Sequence, residues 1–191
     1  MTAPAVIAVM DLEWTTWAGA RARLWQGPGE EMEIVQIGAV RLADAAALPE
    51  LAALDVLVRP SLNPTLSDYF TELTGITQAR VERDGIGFAG ALARLVDFFE
   101  GVEAVWAYGR DHEVIERNCR LNGLAFPFAE SLFKNARPLF EKTCGIDTNA
   151  VFSSGLPAAL GFPPPGNAHQ GVDDCRCIAE AFRILRRRGE F

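Results

Sequence analysis

Three apolar, β-rich runs follow one another at the start of this 191-residue chain with no helical pattern between them, and that order constrains its fold most. Residues 6–10 (VIAVM) form a short, continuously apolar run, the pattern of a buried strand. Residues 33–42 (EIVQIGAVRL) give a second candidate, and residues 54–59, just before Pro60, a third. Consecutive strands with no crossover helix pair as an antiparallel meander. A long turn or loop, residues 16–31, separates the first two and carries Trp17, Arg21, Arg23, Trp25 and the break Gly27-Pro28-Gly29.

Helical signals then dominate. Ser67 is a natural N-cap for a short helix that stops at Gly75. Phe88, Leu92, Leu95, Val96 and Phe99 have helical spacing within residues 87–100, and a fourth strand is expected over 102–108. A helix over 111–122 ends at Gly123, and a helical stretch over 131–143 should kink at Pro138. A short helix at 156–160, a stiff proline loop at 162–167 and a final helix over 173–188 complete the chain. No repeat, linker or compositional break divides it, so one mixed α/β domain over residues 1–191 is expected.

Charge narrows the partners. Eighteen basic residues against 25 acidic ones leave a net charge of −7, so bulk attraction to a long polyanion is excluded as a binding mechanism. Four irregularly spaced cysteines are no disulfide framework, and no apolar run approaches the ~20 residues of a membrane span. The start of the sequence has no basic region ahead of its apolar run. The expectation is a cytoplasmic location with no membrane partner.

Five side chains could do chemistry. Asp11 and Glu13 stand two apart at the end of the first strand, so they share a face, with Cα atoms roughly 6–7 Å apart, while Leu12 faces the core. Carboxylates so placed can hold hard divalent cations; a merely acidic strand end is the plainer reading. Asp111 opens a helix after the fourth strand, where an acid also complements the helix dipole. His169 lies five residues before Asp174, and either Asp173 or Asp174 could instead cap the last helix. Cys175 and Cys177 are too close in sequence to face one direction, and the arginines at 183 and 186–188 suit the C-terminal end of a helix.

Taken together, Asp11-Leu12-Glu13-Trp14-Thr15, Asp111 with Asn118 to Gly123 (NCRLNG), and HQGVDDC from His169 to Cys175 resemble the three motifs of the DEDDh 3′→5′ exonucleases. The likeness extends to EIVQIGAV from Glu33 and YFTELTGIT from Tyr69, so it covers nearly the whole chain. Within this RNase T-like superfamily the chain looks most like the Eri-type RNA exonucleases and bacterial sporulation-inhibitor-like relatives.

The resemblance implies an RNase H-like fold: a five-stranded mixed sheet, three antiparallel strands first, flanked by helices. It makes Asp11, Glu13, Asp111 and Asp174 the metal-binding acids and His169 the general base. It also places Asp174, rather than Asp173, at the family position. Two Mg2+ ions are the expected cofactors, and Mn2+ suits the same oxygen donors. The implied reaction is phosphodiester hydrolysis at single-stranded 3′ ends, RNA favoured, releasing nucleoside 5′-monophosphates. Two alternatives remain: a DNA-directed 3′→5′ exonuclease, since the TELTGI block occurs in both branches, and a catalytically silent regulatory protein of the same fold. Leu12, Trp14, Thr15 and Arg110 are the candidate substrate contacts. Arg110 stands where Eri-type relatives often carry an aromatic residue. Trp14, Trp17 and Trp25, interleaved with Arg21 and Arg23, could stack on bases or pack beneath the loop.

Overall fold

The meander forms as expected. In a computed structural model, which describes residues 4–163, 165 and 169–191, β1 (Val6–Trp14), β2 (Ile34–Ala43) and β3 (Glu50–Leu57) pair antiparallel in sequence. β4 (Ala104–Ala107) and β5 (Phe133–Asn135) then add in parallel on the other side of β1. The strand order is β3-β2-β1-β4-β5, a five-stranded mixed sheet. β1 therefore sits in the middle, with an antiparallel neighbour on one side and a parallel one on the other.

Alternation along β1 sorts its side chains between two cores. Ala8, Met10 and Leu12 join the layer built by α3 (Phe88–Phe98) and α4 (Asp111–Leu121), with Leu92, Leu95 and Ile115. Ile7 and Val9 face the opposite layer, formed by α5 (Arg137–Cys144) and the last helix (Gly171–Arg187). There Ile178, Phe182 and Leu185 are buried, and the Phe182 ring stacks on Phe140 at 5.5 Å and on Phe191 at 4.4 Å. Each such ring contributes about 1.5–3 kcal/mol by leaving water. The two layers clamp the sheet and fix the direction in which the end of β1 points.

α1 (Asp68–Thr74) starts on Ser67, whose hydroxyl accepts from the Phe70 N–H at 3.0 Å, and ends on Gly75 in the left-handed region. α2 (Gln78–Asp84), capped by Thr77, adds a helix to the expected elements. One expectation is corrected. The stretch over 131–143 is not a kinked helix but a 3₁₀ turn (Glu130–Leu132), β5 and then α5. Phe133 pairs beside Val105 in the sheet, and Pro138 lies in the first turn of α5, where no N–H is needed. β3 begins earlier than its sequence pattern indicates because its first four residues are exposed at the sheet edge. The short helix α6 (Leu156–Ala159) and the last helix, α7, lie close to their expected positions. Of the proline loop at 162–167, residues 164, 166 and 167 lie outside the described residues. Among the described residues no helix is long and apolar enough to cross a membrane.

Candidate active site

β1 does not stop at Met10; it runs through Trp14 and so carries Asp11 and Glu13 within regular strand. Both continue the row begun by Ile7 and Val9, which aims them at the layer containing α7. Leu12, between them, is 4 % exposed in the opposite core. Asp111 opens α4 beyond the end of β4, and its carboxylate accepts from the Leu12 backbone N–H. Asp174 lies in the first turn of α7. Asp111 and Asp174 are buried, whereas Asp11 and Glu13 stay partly open.

The approach of α7 to the sheet depends on two glycines. A Cβ on Gly38 of β2 would stand 2.1 Å from the carbonyl carbon of Gly171 and 2.4 Å from the Val172 nitrogen. Only a residue without a side chain fits there, and the helix start can then lie directly on the strand. Gln36, fully buried, completes the junction. Its side-chain oxygen accepts from the Gly171 N–H at 3.0 Å, and its amide donates to Asp55 at 2.7 Å. These contacts bring Asp174 to Asp11.

His169 stands two residues ahead of α7 in the left-handed backbone region, φ 57°. That conformation is uncommon for a residue with a side chain and typical of strained functional positions. Its backbone N–H donates to the Asp174 carboxylate. Ligand atoms of Glu13, His169 and Asp174 all lie within 4.8 Å of one another.

Four converging acids perturb each other. Burial above all, then Asp174, Asp111 and Glu13, hold the Asp11 carboxyl well above the carboxylate range, against a small opposing effect of the Ser153 hydroxyl. Burial and the negative charges of Asp174 and Asp111 push Glu13 up to about 8. Asp111 is raised to about 7 by burial, opposed by the Arg137 guanidinium, and Asp174 to about 7, again chiefly by burial. His169 is lowered by burial, which favours its neutral, basic form. The buried Oδ1 of Asp174 has no hydrogen-bond partner. An orphaned carboxylate oxygen among hard oxygen donors is the chemistry a divalent cation satisfies.

The remaining sequence candidates have other positions. Thr15 is 2 % exposed, and its hydroxyl donates to the Glu31 carbonyl at 2.5 Å while accepting from the Glu33 N–H at 3.0 Å. Trp14 packs against the core and meets Trp25 edge-on at 5.9 Å; the Trp25 indole Nε1–H donates to the Thr15 carbonyl at 3.2 Å. Both rings therefore serve the loop. Arg110 is exposed and pairs with Glu113 at 2.6 Å. Asp173 pairs with Arg176 at 3.4 Å. Cys175 and Cys177 are buried, and burial raises both thiols.

Sequence reasoning missed α1 as a wall of the site. Ser67 donates to the Thr16 carbonyl at 2.5 Å, and a Cβ on Gly75 would lie 3.9 Å from the Gln170 amide nitrogen. The helix thus spans from the loop after β1 to the residue beside His169. Its Tyr69 and Leu73, four apart and exposed at 42 % and 37 %, are unburied apolar side chains. Two apolar residues four apart in so short a helix, besides Phe70, are the sequence signal that could have found them.

The family model described as Exonuclease, RNase_T, matches residues 8–182, a span that includes all five clustered side chains. The chain belongs to the RNase T exonuclease family. It is similar to the human 3'-5' exoribonuclease 1, with 27% identity over 139 residues, 68% of this chain and 40% of the relative. Similarity to the 3'-5' exonuclease eri1 of Schizosaccharomyces pombe is 24% over 211 residues, 95% of this chain and 67% of that protein. The chain thus spans less than half of the human relative's length. Among solved structures, the nuclease domain of 3'hExo, a DEDDh family member bound to rAMP, superposes with a TM-score of 0.81 at 24% identity, covering 97% of this chain and 94% of that one. The fold is the RNase H-like fold of these exonuclease domains. Divalent metal ions are the cofactors this family implies, and the four acids fit them.

Proposed function

We propose that this chain is a metal-dependent 3′→5′ exonuclease that hydrolyses phosphodiester bonds at single-stranded 3′ ends, RNA favoured, and releases nucleoside 5′-monophosphates. The observation that carries the reading is the convergence of Asp11, Glu13, Asp111 and Asp174 with His169, from three separate segments of the chain, into one cluster. Similarity to a human protein named as an exoribonuclease supports RNA over DNA.

Asp11, Glu13, Asp111 and Asp174 would hold two Mg2+ ions, with Mn2+ as a substitute. Such ions, when bound, stabilise charge on a transferring phosphoryl group and acidify water. The chain's own residues do the rest. His169, kept neutral by burial, accepts the proton of the attacking water. Its left-handed backbone and the bond from its N–H to Asp174 set the direction of approach. Leu12 fixes Asp111 through its backbone N–H. The exposed Tyr69 and Leu73 of α1 offer a face for the terminal base, a role that suits stacking recognition of single strands and needs no long basic channel. Trp14 and Thr15 contribute by shaping the end of β1, and Arg110 lies at the rim for phosphate contact.

The test is a time course on matched 5′-labelled single-stranded RNA and DNA with Mg2+ or Mn2+, beside the Asp11→Ala protein. A shortening ladder on RNA that the variant lacks is the expected result. A ladder mainly on DNA moves the substrate class, and no degradation of either strand sinks the enzymatic reading.

A further inference from the structure

We propose that Phe152 is a positioning residue for His169, setting the imidazole through an edge-to-face ring contact that Arg21 braces from the outer side. The inference rests on the exonuclease reading above, in which His169 is the base. The Phe152 ring lies 6.2 Å from the imidazole at an interplanar angle of 67°, within the range of favourable aromatic pairs. Among the described residues no hydrogen bond orients the imidazole. Histidines that work as bases usually owe their orientation to such a partner. Here the ring contact stands in that place.

The Phe152 ring is itself located from several directions. The preceding carbonyl, of Val151, accepts from the Tyr108 hydroxyl at 2.9 Å. The following residue, Ser153, opens a 3₁₀ turn whose Gly155 N–H donates back to the Phe152 carbonyl at 3.0 Å. Phe152 is nevertheless 48 % exposed, more than packing alone would leave of so large a ring. Arg21, from the loop after β1, places its guanidinium carbon 4.9 Å from the ring centroid. Its neighbour Arg23 is engaged instead by Glu30. The contact Arg21–Phe152–His169 therefore runs from the first loop to the start of α7 across the mouth of the site.

Geometry also says which step this arrangement serves. In-line displacement at phosphorus puts the attacking water and the leaving oxygen on opposite sides. A ring beside the base stands on the water's side, away from the nucleotides upstream of the cleaved bond. Phe152 should thus act on the rate of the chemical step and not on substrate affinity.

Phe152→Leu, Phe152→Tyr and Arg21→Leu, made in the full chain, test the role. Phe152→Leu should lower kcat on single-stranded RNA by about two- to tenfold at unchanged KM, the Tyr variant should restore it, and Arg21→Leu should give a smaller loss. In a His169→Ala background Phe152→Leu should cost nothing further, since it would have no base left to orient. A second readout needs no activity. The chain has two histidines, and His112 stacks on Phe133 instead of Phe152, so in metal-free protein Phe152→Leu should move one imidazole proton resonance and leave the other. Equal losses with and without His169, a raised KM at constant kcat, or an unmoved His169 resonance would each overturn the proposal. An inactive wild type overturns the exonuclease reading itself, and this role falls with it even if the resonance moves.

Discussion

Raising the pH of the metal-free protein should destabilise it, against the usual behaviour of surface carboxylates. In an unfolded chain Asp titrates near ~3.9 and Glu near ~4.3. In the fold, burial holds Asp111 and Asp174 at about 7, and burial together with the charges of the neighbouring acids holds Glu13 at about 8 and Asp11 well above its ordinary value. Between those limits the folded state binds more protons than the unfolded state, so stability falls as pH rises and levels off above the folded values. His169 has the opposite sign, because its folded value is lowered, but it is one group against four. At ~1.36 kcal/mol per pH unit, going from about pH 5 to about pH 8 costs roughly 2.5 kcal/mol for Asp111 or Asp174 and roughly 3.5 kcal/mol for Glu13. The four share one cluster and their losses do not add, so a single group sets the working magnitude. For a chain of this size that is a melting temperature lower by roughly 10 °C. Thermal unfolding followed by circular dichroism in a chelating buffer measures it. Excess Mg2+ should return about 2.7 kcal/mol at a hundred times its Kd, and more at the higher pH, where fewer protons compete. Asp174→Asn should flatten the pH dependence. A melting temperature that is level or rises across this range in chelator would refute the electrostatic account of the site.

Other consequences follow from single contacts. His169→Ala should reduce kcat by about 10²–10⁴-fold while Mg2+ binding, followed by calorimetry, stays mostly intact; equal collapse of both would make His169 a ligand instead of a base. Gly38→Ala puts a methyl group against the Gly171 backbone and should cost about 1–3 kcal/mol in denaturant unfolding, with a loss of activity beyond that of the fold. Gln36→Leu leaves the Gly171 N–H buried without its acceptor, a loss of about 1–3 kcal/mol readable in the same titration.

The candidate cluster was legible because its residues fall in three motifs that resemble those of one family; taken singly, each also suited a plainer role. Asp11 and Glu13 stand at a spacing of two just after the apolar run that opens β1, and Asp111 opens a helix behind another strand. Periodicity also exposed the meander and the buried side of α7. It could not expose β5, which has three residues and therefore no period, and whose strand character comes from pairing with β4. Nor could it say which rings point inward. Trp14 and Trp25 look alike in sequence to stacking residues, yet they meet each other edge-on beneath the loop. Phe152 shows the reverse: nothing around it in the chain marks it, and only the fold brings it to His169. The closeness of Gly38 to Gly171 is likewise a long-range fact, although both glycines stand in motifs that the sequence displays.

The most direct measurement is of products. Single-stranded RNA with a free 3′ end, and the same strand with its 3′ end blocked, would be incubated with Mg2+ and the released nucleotides separated by chromatography. The account predicts nucleoside 5′-monophosphates from the free end alone, and none from either strand with Asp11→Ala. Release from the blocked strand, 3′-monophosphate products, or undiminished release by the variant would contradict it.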